Sequence, residues 1–343
     1  MAGKAMAMMV LLATIHGLTL GQQPQGAAAP GLPAASSPAT QVAPRGPGGR
    51  NLKVLCSVFP VYLFTRNIAA GSNLQVEPML PPAMGCPHDY SLTPRDMQKI
   101  AAASILIVNG LGLEEFIGEP VKKANPGIQI IDASAGIKDL IRTEPDDDDH
   151  EGKESPAAGG HGVGEGHRHG AANPHIFASP RTAAQMVKTI ADELAKVDAE
   201  NARLYADNAA AYIASLNELR DEFAAAGKKF KSRAIVTEHA VFDYLARDCG
   251  LTIVAVVEES PGQAPSAAGM LALVRKIKDS GAAAVFTEPQ YPARVSQTIA
   301  AEAKTPVAVL DPVASGPEGA GLDYYQKAMR KNLEILTAVL GRK

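Results

Sequence analysis

The chain of 343 residues has no tryptophan, and aromatic residues make up only 5% of it. It also lacks a strong charge of one sign: the formal net charge is −3 and the basic residues form no stripe, which argues against a nucleic-acid partner. Three cysteines are too few for a disulfide scaffold. The apolar fraction of 46% is typical of an alanine-rich globular protein, and the length suffices for two domains of ordinary size.

The first 21 residues have the features of an export signal. Lys4 precedes an apolar run from Ala5 to Ala13, which is too short to span a bilayer but suits the core of a signal peptide. Since no cysteine follows this run closely, we expect an exported, soluble, periplasmic protein without a lipid anchor. Residues 22–50 are rich in Pro, Ala and Gly, a composition that cannot bury a core and is typical of a flexible tether.

Residues 51–178 alternate short apolar runs with helical stretches. This alternation predicts parallel strands joined by crossover helices. Residues 229–343 repeat the pattern, so we predict an α/β fold with two lobes. The predicted strands are 54–58, 74–80, 105–109 and 128–132 in the first lobe, and 234–237, 253–257, 283–286 and 307–310 in the second. The predicted helices are 62–70, 94–103 and 114–124, then 241–248, 266–280, 293–303 and 323–340.

Residues 179–228 are predicted to form a helical connection between the lobes. Apolar residues recur there at spacings of four and three, which marks one face of a long helix over residues 198–226. These residues are Tyr205, Ala209, Tyr212, Leu216, Leu219 and Phe223. At 1.5 Å per residue the helix would be about 40 Å long. One long helix braces two lobes against hinge motion, so we expect little relative movement.

Residues 146–170 differ from both lobes because they are almost devoid of apolar side chains. The segment carries seven acidic residues and half of the chain's eight histidines, namely His150, His161, His167 and His169. Such a composition favours a disordered loop that holds cations weakly. A solvated insertion without a role is the alternative interpretation.

Three histidines outside this loop lie at positions where ligand-binding residues are usually found. His88 follows the second predicted strand, His239 directly follows the first strand of the second lobe, and His175 leads out of the histidine-rich loop. Asp311 follows the last strand. Because the carboxyl ends of parallel strands face the ligand crevice, these side chains could meet in a cleft between the lobes.

Three imidazoles and one carboxylate form a closed tetrahedral set for Zn²⁺, and the imidazoles favour zinc over manganese. Spacing alone does not link these residues, since a histidine in a loop is usually a surface residue. Glu238 is a second candidate oxygen ligand, and water is a third way to complete the shell. Glu288 is expected to support the cleft, and the segment beginning at Glu258 is expected to have a structural role.

Four motifs support a shared site because they occur in a fixed order. They are Pro-His-Asp-Tyr with Thr-Pro in residues 81–94, the segment 173–181 after the histidine-rich loop, TEHAVFDYLARDCGL in 237–251, and Glu-Pro-Gln followed by Asp-Pro in 286–312. Together they resemble the ligand motifs of periplasmic zinc-uptake solute-binding proteins of ABC transporters. The match runs from about residue 52 to the C-terminus.

The resemblance implies that His88, His175, His239 and Asp311 bind zinc between two α/β lobes joined by a rigid helix. It also implies that the protein is not an enzyme, and that it delivers zinc, as a monomer, to the membrane permease of an ABC transporter. A manganese-binding member of the same family, a metal store or adhesin, and a zinc-dependent hydrolase are the alternatives. A hydrolase would need an open coordination position, and no H-E-x-x-H motif is present.

The sequence departs from the family pattern at Cys86, where an acidic or small residue is common. Cys86 could bind zinc itself, or it could form a disulfide with Cys56, since adjacent parallel strands could bring the two Cα atoms within the roughly 4.4–6.8 Å that a bridge requires. Two separate buried thiols are the remaining possibility.

Overall fold

The computed structural model describes residues 52–85, 87, 90–114, 116–142, 172–258 and 263–341. The predicted signal peptide, the tether and the loop 146–170 lie outside the described residues, as do Cys86 and His88. Within the described part of the chain, none of the helices is both long and apolar enough to cross a membrane.

The first half of the fold is a four-stranded parallel sheet of order β2-β1-β3-β4. Its elements are β1 (Lys53–Cys56), α1 (Phe59–Ile68), β2 (Gln75–Pro78), α2 (Pro94–Ala102), β3 (Ile105–Val108), α3 (Glu119–Ala124) and β4 (Gln129–Asp132). The predicted α/β alternation is confirmed. Thr93 is the N-cap of α2, because its side chain accepts a hydrogen bond from Asp96 N in a capping box.

Two helices follow, α4 (Pro180–Val197) and α5 (Ala202–Gly227). The long helix predicted for 198–226 is confirmed as α5, although it begins four residues later because a short 3₁₀ turn over Ala199–Asn201 precedes it. Every residue of its predicted apolar face is buried. At Gly227, where α5 ends, an added Cβ would lie 2.2 Å from Cys249 O, so only glycine permits this close approach.

The second half is another parallel sheet, of order β6-β5-β7-β8. Its elements are β5 (Ala234–Thr237), α6 (Asp243–Cys249), β6 (Thr252–Val256), α7 (Ala267–Ser280), β7 (Val285–Thr287), α8 (Arg294–Ala303), β8 (Val307–Val309) and α9 (Tyr324–Leu340). Most of these boundaries lie within two residues of the prediction. Both strand orders place β1 and β5 inside their sheets, where side chains are buried on both faces.

The helix predicted for residues 114–124 is wrong in its first turn, since α3 begins only at Glu119. Glu114 is instead drawn back toward the end of β3, where its carboxylate accepts hydrogen bonds from Asn109 N and Gly110 N. Gly118 precedes the helix with φ 139°, a conformation that interrupts any helix arriving from residue 114. Similarly, α1 begins three residues before the predicted start because Pro60 suits its first turn.

One hydrophobic core joins the two sheets. Side chains from β1 and β3, such as Val54 and Ile107, belong to the same buried cluster as Ile235 of β5 and Phe286 of β7. Helices α1, α4, α5 and α9 fill the space between them. The described residues accordingly lie in one compact unit, and the lobe limits set at 51–178 and 229–343 stay a prediction.

Two cysteines are buried free thiols in this fold: Cys56 at the end of β1 and Cys249 at the end of α6. Burial raises the pKa of each thiol to about 12. Cys86 lies outside the described residues, so its pairing with Cys56 stays a prediction and would require oxidation of a thiol that is free here.

We predict that Leu219→Ala lowers the free energy of unfolding by about 2–5 kcal/mol, because Leu219 is fully buried in the core that both sheets share. The variant should still unfold in a single cooperative transition, measured by urea denaturation followed by circular dichroism. The neighbouring exposed residue provides a matched control, and Glu218→Ala should change stability by less than about 0.5 kcal/mol. Two separate transitions in the Leu219 variant would show that the sheets unfold independently.

Candidate metal centre

His239 lies at the carboxyl end of the second sheet, directly after β5. The hydrogen bonds of the parallel ladder continue past the strand here, since Glu238 N donates to Phe286 O and Glu258 N donates to Glu238 O. These bonds fix the backbone of Glu238, and the next residue, His239, is 5% exposed. The imidazole is therefore presented from an ordered backbone in a buried site.

Glu288 orients the His239 ring. Its Oε1 lies 2.7 Å from His239 Nδ1, and its Oε2 accepts a 2.6 Å hydrogen bond from Gln290 Nε2. We assign the ring proton to Nδ1, where the carboxylate accepts it, so that Nε2 is the nitrogen available to a metal. This arrangement agrees with the supporting role expected for Glu288.

The electrostatics of this pair follow from burial and proximity. Desolvation raises the pKa of Glu288, partly offset by the hydrogen bond and charge of His239. Burial would lower the pKa of His239, but the hydrogen bond and charge of Glu288, together with Glu238 and Glu258, raise it. The site concentrates negative charge around one imidazole, which is an environment suited to a cation.

Glu238 belongs to the same buried group as His239 and Glu288, whose candidate donor atoms all lie within 4.8 Å of one another. Its own oxygens already accept hydrogen bonds, Oε1 from Ser296 Oγ at 2.9 Å and Oε2 from Glu288 N at 3.0 Å. These bonds connect the ends of β5 and β7 to α8. They favour a supporting role for Glu238 over the ligand role considered from the sequence.

His175 is held in a comparable way by Asn173. The Asn173 Oδ1 atom accepts a hydrogen bond from His175 N at 2.9 Å and lies 2.9 Å from His175 Nδ1. We place the ring proton on Nδ1 here too, which leaves the lone pair of the ring on Nε2. His175 is 8% exposed, and it follows the histidine-rich loop in the sequence.

Asn173 also connects His175 to the loop that carries His239. Its Nδ2 donates to Ala240 O at 2.8 Å and to Asp243 Oδ2 at 3.0 Å, and its carbonyl accepts a 2.7 Å hydrogen bond from Tyr244 OH. Ala240 is the residue after His239. Two histidines that are distant in sequence are thus carried by loops that share direct hydrogen bonds.

A second network attaches the His175 loop to the first sheet. Asn109 Nδ2 donates to Pro174 O at 2.9 Å. The backbone of Asn109 is held by the buried Glu114 carboxylate, which also accepts a 2.5 Å hydrogen bond from Ser57 Oγ. Burial raises the pKa of Glu114. Polar residues directly after a buried strand are the sequence signal for this network, but the predicted strand included Asn109 and the predicted helix began at Glu114.

Asp311 lies after β8 and is partly buried, which raises its pKa. Its Oδ1 accepts a 2.7 Å hydrogen bond from Val313 N. The Asn332 side chain accepts a hydrogen bond from Asp311 N and donates one to Asp311 O. Within the described residues, neither Asp311 nor His175 belongs to the group of donors that lie within 4.8 Å of one another. A shared site for His88, His175, His239 and Asp311 therefore stays a prediction.

The four histidines of the predicted secondary site also lie outside the described residues: His150, His161, His167 and His169. So does Cys86, which was considered from the sequence as a possible metal ligand. Their predicted roles are unchanged.

Comparison with known proteins places this geometry in context. "Zinc-binding protein AdcA" of Streptococcus pyogenes serotype M3 is 33% identical over 288 residues, which cover 83% of this chain and 55% of that protein. The chain thus spans about half the length of this relative. "High-affinity zinc uptake system protein ZnuA" of Bacillus subtilis is 30% identical over 292 residues, covering 84% of this chain and 87% of the relative.

Solved structures show the same architecture. A crystal structure of ZnuA superposes with a TM-score of 0.69 at 27% identity, covering 85% of this chain and 100% of that one. The solute-binding protein FpvC of Pseudomonas aeruginosa, in complex with Mn²⁺, gives a TM-score of 0.69 at 26% identity, covering 85% and 98%. The family model "Zinc-uptake complex component A periplasmic" matches residues 54–339. The chain belongs to this family of zinc-uptake component A proteins.

Proposed function

We propose that this protein captures a zinc ion outside the cytoplasmic membrane and delivers it to the permease of an ABC transporter. The observation that carries the proposal is the buried His239 imidazole, whose Nδ1 is committed to Glu288 while its loop is bonded through Asn173 to that of His175. Zinc is the cargo of this site. Such outer hydrogen bonds fix ring orientation and increase ligand basicity at metal sites.

Zinc is favoured over manganese by the donor chemistry. Imidazole nitrogens suit zinc, whereas manganese prefers carboxylate, carbonyl and water oxygens. The names of the AdcA and ZnuA relatives both refer to zinc. The structure of FpvC with Mn²⁺ keeps manganese as the alternative cargo.

The proposed set of zinc ligands agrees better with metal capture than with catalysis. Three imidazoles and one carboxylate would close a tetrahedral shell, which leaves no position for the water that a catalytic zinc activates. We therefore infer a binding protein that is not an enzyme. We also infer that it acts as an exported, soluble monomer without a lipid anchor, although a relative in Streptococcus pneumoniae is named a lipoprotein.

The first test replaces the proposed ligands one at a time. His88→Ala, His175→Ala and His239→Ala should each weaken zinc binding by more than about 100-fold, because each removes one of the proposed nitrogen ligands. Competition with a fluorescent zinc chelator at one equivalent of metal measures the change.

His150→Ala serves as the control, because it removes a histidine of the loop 146–170 and should leave the tight site unchanged. An unchanged affinity in any of the three ligand variants would remove that histidine from the site. Loss in all variants, including the control, would indicate that binding is spread over many weak sites.

The second test deletes residues 146–170. The segment is nearly devoid of apolar side chains, so its removal should not disturb the core. Calorimetric titration should retain one tight zinc site and lose the additional weaker binding. Loss of the tight site would contradict the proposal and favour a metal store in which the loop is the working part.

A further inference from the structure

Asn332 is a polar residue on the buried face of α9. The other buried residues of this helix are Tyr325, Met329, Leu336 and Leu340, and Asn332 continues their spacing of three and four. It is 1% exposed. An apolar side chain would pack at this position without a penalty, whereas a buried amide is costly unless its polar atoms are hydrogen-bonded. The amide therefore needs partners that account for its presence on this face of the helix.

Both polar atoms of the amide are bonded to the backbone of one residue, Asp311. Asn332 Oδ1 accepts a hydrogen bond from Asp311 N at 2.9 Å, and Asn332 Nδ2 donates to Asp311 O at 2.7 Å. The hydrogen bonds between β8 and β7 extend as far as Leu310, whose N donates to Thr287 O at 2.9 Å. At the next residue the amide takes the place of a strand partner, so it holds the backbone of Asp311 beyond the end of the sheet.

The two residues after Asp311 restrict the turn further. Pro312 confines the residue before it to extended conformations. Val313 N donates to Asp311 Oδ1 at 2.7 Å, which fixes the rotation of the carboxylate. Val313 is fully buried and has φ 62°, a conformation that β-branched residues rarely adopt. Such a backbone persists only where surrounding contacts hold it, and the amide of Asn332 supplies two of those contacts.

We propose that Asn332 is the positioning residue for Asp311: its amide sets the place of this carboxylate and thereby the zinc affinity of the site. The inference rests on the proposed function, because Asp311 is the carboxylate that the family resemblance assigns to the metal. Partners of this kind matter at metal sites, since a ligand that must first be ordered costs binding energy. Helix α9 is then part of the site although it carries none of the proposed ligands.

The test combines Asn332→Ala with Asp311→Ala in the full chain. Asn332→Ala alone should weaken zinc binding by about 10–100-fold, the loss typical of partners that orient metal ligands. In the Asp311→Ala background the same substitution should change zinc affinity by less than about 2-fold, because the ligand that it positions is already absent. Chelator competition at one equivalent of zinc measures the unaltered protein, both single variants and the double variant.

Asn208→Ala is the matched control. Asn208 also lies on a helix, α5, and its Nδ2 donates to two backbone carbonyl groups, Ile68 O at 2.9 Å and Ala70 O at 2.8 Å. Its removal breaks hydrogen bonds of the same kind without releasing a proposed ligand. Zinc affinity of Asn208→Ala should match that of the unaltered protein, and the unfolding midpoints without metal compare the losses of stability.

A spectroscopic measurement separates positioning from a loss of stability. Co²⁺ added at one equivalent reports its ligands through visible absorption bands. The bands of Asn332→Ala should shift in the direction in which Asp311→Ala shifts them, whereas Asn208→Ala should keep the bands of the unaltered protein. Circular dichroism without metal checks that each variant is folded. If Asn332→Ala does not fold, Asn332→Ser, which keeps a hydroxyl at the buried position, takes its place with the same expected losses.

Each other result overturns the proposal. Unchanged zinc affinity in Asn332→Ala, an equal loss with and without Asp311, or a comparable loss in Asn208→Ala would show that Asn332 does not act through Asp311. A weaker affinity with unchanged Co²⁺ bands would indicate a loss of stability alone, and failure of both Asn332 variants to fold would assign the amide to the fold.

Two results concern the proposed function itself. Unchanged affinity in Asp311→Ala would remove this carboxylate from the site and overturn the inference, while the proposed function would still stand on the three histidines. Failure of the unaltered protein to bind zinc would refute the proposed function as well.

Discussion

The side-chain amide of Asn173 is the contact on which the rest of the site depends. Its oxygen holds the backbone and the ring of His175, and its nitrogen holds the backbone directly after His239. One residue thereby sets the direction of one candidate ligand and ties its loop to that of another. Each imidazole also has its Nδ1 engaged by an oxygen, from Asn173 or Glu288, which favours a proton on Nδ1 in both rings.

We expect the shared core to make this geometry rigid. Helix α5 packs its buried face into the cluster that contains strands of both sheets, so one sheet cannot shift relative to the other without opening that core. The hydrogen bonds from Asn109 to Pro174 and from Tyr325 OH to Phe177 O attach the His175 loop to the first sheet and to α9. We expect that a site held in this way would spend little binding energy on ordering its ligands.

Much of the fold could be predicted because it depends on local patterns. The apolar face of α5 follows from spacings of three and four, and the parallel sheets follow from alternating strands and helices. The buried polar network could not be predicted in this way. Whether Glu114 starts a helix or turns back to Asn109, and whether Glu258 points toward His239, depends on neighbours distant in sequence. The ligand set itself came from ordered family motifs, since spacing alone does not bring residues 88, 175 and 239 together.

Zinc K-edge X-ray absorption on the protein with one equivalent of zinc tests the central claim most directly, because it counts the atoms bound to the metal. We predict three imidazole nitrogens and one oxygen at about 2.0–2.2 Å, with the multiple-scattering pattern of histidine rings. A sulfur at about 2.3 Å would show that a cysteine binds the ion. Fewer than two imidazoles would contradict a site built from His175 and His239.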